Sequence, residues 1–495
     1  MHQFSPVEKH FFNQQSIKTQ TSSIPYIVLD NFPQLGLITA LRFLEWSSNN
    51  PNGVISLPTG KTPEYFIKWT HHILQNWEDK AVKKLREDNG LLIKNKPILR
   101  GLKFVQIDEF YPLNPNQHNS FYNYVCEYYI NGFGLDSKKA LLINSDKIPL
   151  VNGKNRKQIF PDHRIDLTLR FRDATSKVEE EQQESILLID QWCAEYENKI
   201  RSMGGIGFFL GGIGPDGHIA FNVRGSDHNS TTRLTGTNFE TQAAAATDLG
   251  GIEISRNRLV ITIGLGTITY NPDATGIIIA AGEAKSKIIK NSLEHAPDVK
   301  YPATALAKLK KSCFYITKGA GKLLADFERD YWENSEWNDQ KLQRSILELS
   351  RNINVFGKKL SLDNLQNDEH CKNIPSLNAD TVSDVIKKVE SKVEKGSKLE
   401  TNQTFYHTGP HHDDIMLGLM PYVIQLIREP SNHHHFVNMT SGFTSVTNNF
   451  IQNLLQDTKY FLADDKIQMT RYDDFFESGY KKKWDKDVFH YLDAI

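Results

Sequence analysis

The stretch "IGFFLGGIGPDGHIAFN", residues 206–222, runs from an apolar segment through three glycines to an aspartate and a histidine two residues apart. An apolar run of five to eight residues that stops at glycine reads as a strand buried on both faces. The glycines spell Gly212-x-Gly214-x-x-Gly217, which is also the spacing of a dinucleotide-binding turn. Such a turn wants its helix directly after the third glycine and an acidic residue about twenty positions on. Here Gly217 is followed by His218, and residue 237 is a threonine. The glycines instead free backbone N–H groups around Asp216 and His218, an acid–imidazole combination suited to moving protons.

Working outward, residues 26 to 330 alternate strand-like and helix-like patterns. "GVISLP" (53–58), "LKFVQID" (102–108), "RLVITIGLG" and "TGIIIAAG" read as further strands. "PEYFIKWTHHILQNW", "SILLIDQWCAEYENKIRSM" and "EAKSKIIKNSLE" read as helices between them. This alternation predicts an α/β fold with a mostly parallel, doubly wound sheet and helices on both faces. Ligands of such sheets bind beyond the carboxyl ends of the strands, so the polar residues there are the ones to weigh.

Three groups stand at such ends. Thr59, Gly60, Lys61 and Thr62 follow the first of these strands and precede Pro63, where a helix is expected to start. Free N–H groups, two hydroxyls and an ammonium make this turn a candidate anion cradle, or else a plain strand–helix turn. It lacks the longer spacing of a P-loop. Asp108 and Glu109 end the next strand and face opposite ways. One can act as a base in the crevice while the other ties down the following loop, in which His118, Asn119 and Ser120 could cover the crevice. A capping role for both is the alternative. Lys285 lies at the start of a helix just after a strand, where it reads as a second anion ligand or as a solvated lysine.

Together these segments resemble the glucosamine-6-phosphate deaminase/isomerase family, which shares its fold with 6-phosphogluconolactonases. "LPTGKTP", "IDEFY", "HNSF", "CAEYENKIRS", "GGIGPDGHIAFN" and "GLGT…GEAKSK" occur in that family's order. The resemblance implies a sugar-phosphate enzyme without metal or organic cofactor in this part. Thr59, Gly60, Lys61, Thr62 and Lys285 would hold the phosphate. His218, oriented by Asp216, would assist ring opening, and Asp108 would carry a proton between C2 and C1. In two places the chain departs from the family. Val223 stands where the family has a glutamate, and "ETQAAAATD" lacks the family's phosphate-binding arginine. Lys61 is the residue that would restore that positive charge. Arg233 matches a position of the family's regulatory site, while Thr235 replaces the neighbouring basic residue.

Residues 331–400 are charged and helix-prone and are expected to form a helical connector. Beyond it, "TNQTFYHTGP" and "HHHFVNMTSG" read as strands of a second Rossmann-like α/β unit, expected to be incomplete over 401–495. "HTGPHHDDIMLG" resembles the His-Pro-Asp-Asp motif of LmbE/PIG-L-type N-acetylglucosaminyl deacetylases, with His412 in place of proline. That resemblance implies Zn²⁺ on His411 and Asp414, with Asp413 activating the metal-bound water. His490 is available as a third ligand but lacks the motif. The run His433-His434-His435 is not expected to supply one, because strand neighbours point to opposite faces.

The chain has 495 residues, enough for two or three domains. Residues 1–330 are taken as the deaminase/isomerase-like domain. Fifty-eight basic side chains balance 59 acidic ones, so neither nucleic acid nor a membrane surface is an expected partner. Four scattered cysteines with no C-x-x-C pair suggest reduced thiols and a cytoplasmic chain. The partner expected is a small amino-sugar phosphate, and a homo-oligomer is allowed. The function expected is deamination of glucosamine 6-phosphate in amino-sugar catabolism, coupled to a deacetylase domain. The rival readings are a lactonase or hydrolase acting on another sugar phosphate, and a non-catalytic sugar-phosphate sensor.

Overall fold

Alternation of apolar side chains along short strands sets the architecture. The computed structural model describes residues 3–117, 119–249, 255, 257–411, 413–439, 452, 456 and 459. Among them the strands are β1 (Tyr26–Leu29), β2 (Val54–Ser56), β3 (Lys103–Val105), β4 (Asp108–Tyr111), β5 (Ala140–Leu141), β6 (Phe208–Gly212), β7 (Arg233–Thr235), β8 (Leu259–Thr262), β9 (Thr275–Ala280), β10 (Lys311–Thr317), β11 (Thr404–Gly409) and β12 (His433–Asn438). Seven of them form one sheet in the order β1-β10-β9-β6-β2-β3-β5, every pair parallel.

Successive residues of the central strands enter two separate cores. Phe208 and Leu210 lie in one and Phe209 in the other. Ile277 and Ile279 oppose Ile278 and Ala280, and Cys313 and Tyr315 oppose Phe314 and Ile316. One core is closed by helices Phe32–Asn49 and Glu64–Gln75, through Leu41, Phe43 and Phe66 among others. The other is closed by Lys177–Ser202, through Ile186, Ile189, Tyr196 and Ile200. The sheet therefore has helices on both faces, as the unbroken apolar runs require. Truncating Phe208, which is wholly buried, to alanine would cost about 3–5 kcal/mol.

Two of the expected strands are placed differently. "LKFVQID" divides: β3 stops at Val105, and Asp108 opens β4 in a second sheet of order β4-β8-β7, whose pairs are antiparallel. Gln106 makes the break, donating through Nε2 to the carbonyl of Asp108 (2.8 Å) and accepting from the N–H of Ile143 (2.8 Å). "RLVITIGLG" supplies β8, the middle strand of that small sheet rather than a member of the large one.

The chain divides into two compact units, Met1–Ala245 with Glu253–Lys398, and Ala246–Ile252 with Leu399–Ile495. The segment expected as a helical connector is helical over Ala325–Asn334, Asp339–Ile353 and Thr381–Ser397 and falls in the first unit. It has its own core of Ile346, Leu349, Leu365, Cys371 and Val385. In the second unit, β11 and β12 run parallel and flank helix Asp414–Ile427, a βαβ arrangement. Among the described residues no helix is long and apolar enough to cross a membrane.

Candidate active site

The strands β9, β6, β2 and β3 are neighbours in the large sheet. Their parallel course brings four loops to one edge: 281–285, 213–222, 57–62 and 106–108. Thr59, Gly60, Lys61, Thr62, Asp108, Asp216, His218 and Lys285 all lie on these loops or at their ends.

The turn after β2 places Gly60 at φ +82°, a left-handed conformation that a side chain would strain. The hydroxyls of Tyr124 and Tyr129 pin it by donating to the carbonyls of Gly60 (3.0 Å) and Pro58 (2.5 Å). Helix Glu64–Gln75 begins just after Pro63. Thr59, Gly60 and Thr62 are half-buried, while Lys61 is exposed. Thr62 reaches the end of β6, where a Cβ on Gly212 would lie 3.3 Å from Thr62 Cγ2. On the other side of β6, the ammonium of Lys285 donates to the carbonyl of Ile213 (2.8 Å). Burial holds the Lys285 pKa below its ordinary value, against the nearby charge of Asp216. The turn and Lys285 thus approach the start of one glycine loop from either side.

On that loop, Nδ1 of His218 lies 2.5 Å from Oδ1 of Asp216. Asp216 Oδ2 accepts from the Arg224 N–H (3.2 Å) and the Asn238 amide (2.6 Å). Burial alone would raise the Asp216 pKa. The hydrogen bonds from His218, Asn238 and Arg224, with the imidazole's charge, outweigh it and hold the carboxyl well below the usual range. An ionised Asp216 keeps the proton of a neutral imidazole on Nδ1. Nε2 of His218 makes no hydrogen bond among the described residues and is the atom able to take and return a proton. The ring stacks on Phe221 at 5.8 Å, and Phe221 packs against Phe110 and Phe121.

Glu109 and Asp108 divide their work as strand alternation dictates. Glu109 ties the following loop, accepting from Ser120 Oγ (2.7 Å) and from the N–H groups of Phe121 (3.1 Å) and Tyr122 (2.7 Å). Its pKa is pushed up to about 7 by burial, which these donors oppose. Asp108 is buried, and its carboxyl has no hydrogen-bond partner among the described residues. Burial, then the charge of Glu109, raises its pKa well above the ordinary value. Thr262 of β8 joins Asp108 to the histidine loop. It pairs with Asp108 across the small sheet, and its hydroxyl accepts from the N–H of Phe221 (3.1 Å). The Asn222 amide donates to the next carbonyl, that of Ile263 (2.8 Å).

His118 lies outside the described residues. Arg233 donates to Asn222 Oδ1 (2.9 Å) and Ser226 Oγ (3.3 Å). Asn238 and Thr241, which the sequence did not bring forward, meet the dyad directly: Thr241 Oγ1 is 3.1 Å from His218 Nδ1.

In the second unit His411, Asp413 and Asp414 offer ligand atoms all within 4.8 Å of one another. His411 Nδ1 is 3.2 Å from Asp414 Oδ2, about the separation of two ligands on one tetrahedral zinc. His412 and His490 lie outside the described residues. Of the histidine run on β12, His434 pairs with His407 (2.9 Å), while His435 stacks on Tyr406. Neither belongs to the cluster.

No family model matches the chain. A glucosamine-6-phosphate deaminase from Borrelia garinii subsp. bavariensis is 34% identical over 150 residues, covering 29% of this chain and 55% of that one. A glucosamine-6-phosphate isomerase from Candida albicans is 39% identical over 119 residues, covering 24% and 48%. Glucosamine-6-phosphate deaminase 2 of Giardia intestinalis is 25% identical over 290 residues, covering 59% and 88%. The chain spans about half the length of the first curated relatives it matches. Among solved structures, a monomeric glucosamine-6-phosphate deaminase aligns over 61% of this chain and 100% of its own, at 20% identity and a TM-score of 0.45. A 6-phosphogluconolactonase from Leishmania guyanensis aligns over 61% and 99%, at 16% and 0.37. The chain's relatives in sequence are therefore glucosamine-6-phosphate deaminases and isomerases.

Proposed function

We propose that the first unit converts glucosamine 6-phosphate and water to fructose 6-phosphate and ammonia. The observation that carries this is the dyad: Asp216 fixes His218 through Nδ1 and leaves Nε2 unengaged, while Thr262 ties the same loop to a buried Asp108. The 59–62 turn and Lys285 hold the phosphate. Nε2 of His218 takes the proton of the anomeric hydroxyl and returns it to the ring oxygen as the C1–O5 bond breaks. Asp108 removes the C2 proton of the open-chain aldehyde as O1 takes up a proton, giving the enolamine. It then delivers its proton to C1 as the amino group gives up one of its own, leaving an imine at C2. Water adds there and ammonia departs. Excluding water raises the basicity of Asp108, which suits a carboxylate that must take a proton from carbon. Incubating the purified protein with glucosamine 6-phosphate tests this. Ammonia and fructose 6-phosphate are expected in equal amounts, and release of neither would refute it.

A second reading concerns the other unit. The cluster of His411, Asp413 and Asp414 fits a divalent ion of the zinc type, held by His411 and Asp414. Such a metal would activate a water for deacetylation of an N-acetylated amino sugar, with Asp413 placed to accept that water's proton. Zinc titration is the check. Tight binding that His411→Ala weakens at least tenfold is expected, and equal binding by the variant would remove the site.

A further inference from the structure

The proposed reaction needs the His218 ring held in one tautomer and one plane, and the side chain at 223 is a valine that cannot do this. Helix Phe239–Leu249 starts beside the ring. Its cap is Asn238, whose Oδ1 accepts from the N–H of Thr241 (3.0 Å) and whose backbone carbonyl accepts from Gln242 N–H (2.9 Å). The same Asn238 side chain turns its amide to Asp216 Oδ2 at 2.6 Å. Three residues later on the same turn, Thr241 sets Oγ1 3.1 Å from His218 Nδ1. Asp216 is fully buried and Asn238 supplies the one side-chain N–H donor to its Oδ2 among the described residues.

We infer that Asn238 and Thr241 are positioning residues that supply, from the start of this helix, the hold on the Asp216–His218 dyad that residue 223 does not. The inference rests on the proposed deamination for its chemistry, but its geometry stands without it. Asn238 locks the plane of Asp216, so that Oδ1 faces Nδ1. The Thr241 hydroxyl offers that nitrogen a second oxygen. Together they fix the proton on Nδ1 and aim Nε2 at the substrate. A helix cap needs only an acceptor at 238, for which Asp serves as well as Asn. Holding Asp216 needs an N–H donor, which Asp lacks.

That difference separates a positioning role from a merely structural one. Kinetics of Asn238→Asp, Thr241→Val and Thr241→Ser should be read with ¹⁵N shifts of the His218 ring in substrate-free protein. Asn238→Asp is expected to lower kcat at least tenfold with KM within about twofold. Its ring should show loss of the single Nδ1-protonated tautomer. Thr241→Val should lower kcat about three- to tenfold, with Thr241→Ser close to the parent. An Asn238→Asp protein with parental kcat and ring shifts would overturn the inference, as would equal losses in Thr241→Val and Thr241→Ser. A parent protein that releases no ammonia would defeat the proposed function alone, since the ring shifts still decide this point.

Discussion

Gly214 stands against the ring of His218 so closely that a Cβ at 214 would lie 2.0 Å from Cε1 and 2.2 Å from Nδ1. The glycine is the floor on which the imidazole rests. Gly214→Ala should therefore push the ring off Asp216 without touching either residue's chemistry. Misplacing a catalytic group by about 1 Å costs roughly a hundredfold. We expect kcat to fall by about that factor with KM little changed, and steady-state kinetics will show it.

Asp108 gives a prediction in two directions. It is buried with no described hydrogen-bond partner, so its charge is a liability to folding and an asset to proton transfer. Asp108→Asn should reduce turnover at least a hundredfold while leaving Tm equal to or above that of the parent at pH 8. A fall in both would mean that the carboxyl serves the fold.

The two lysines proposed for the phosphate cradle are tested one at a time. Lys285 is partly buried and aimed at the glycine loop, so Lys285→Ala should raise KM for the sugar phosphate about 10- to 100-fold. Lys61 is exposed. If it supplies the charge that the segment 240–248 lacks, Lys61→Ala should raise KM steeply as well. An unchanged KM in Lys61→Ala would confine the cradle to backbone, Thr59, Thr62 and Lys285.

Glu109 predicts a pH effect on stability. Its folded pKa, about 7, stands above the ordinary 4.5, so the folded state binds more protons than the unfolded one between these values. The stability from its protonated form is complete below about 4.5 and is lost as pH rises through about 7, on the order of 3 kcal/mol at most. Glu109→Gln should flatten this decline. Urea unfolding of both proteins from pH 5 to 8 will test it, with parallel curves as the contrary result.

The large sheet was legible because its strands are buried on both faces: "GFFLGG" and "GIIIAAG" have no polar side to confuse them with helix. β1 and β10 are not legible in the sequence, because runs such as "YIVL" lack glycine punctuation. β8 looked like one more core strand, since an apolar run does not say which sheet it joins. The break at Gln106 depends on a hydrogen bond to Ile143, 37 residues away, and local pattern carries no trace of it. The site shows the same division. Asp108, Asp216, His218 and Lys285 lie where strands end, and a strand end can be read. Asn238 and Thr241 reach the dyad across 22 and 23 positions of loop and β7, in a polar stretch resembling any helix cap.

A sheet sealed on both sides leaves its loops chemically free. Nothing in the packing of Phe208, Phe209 or Ile278 depends on whether residue 223 is acidic or aliphatic. Selection can therefore rewrite the tips, lose a charge at one and recruit an amide at another, while the same scaffold still folds. A valine at 223, with Asn238 and Thr241 at hydrogen-bond distance from the dyad, is what such freedom permits in a chain that keeps its frame while its loop tips change.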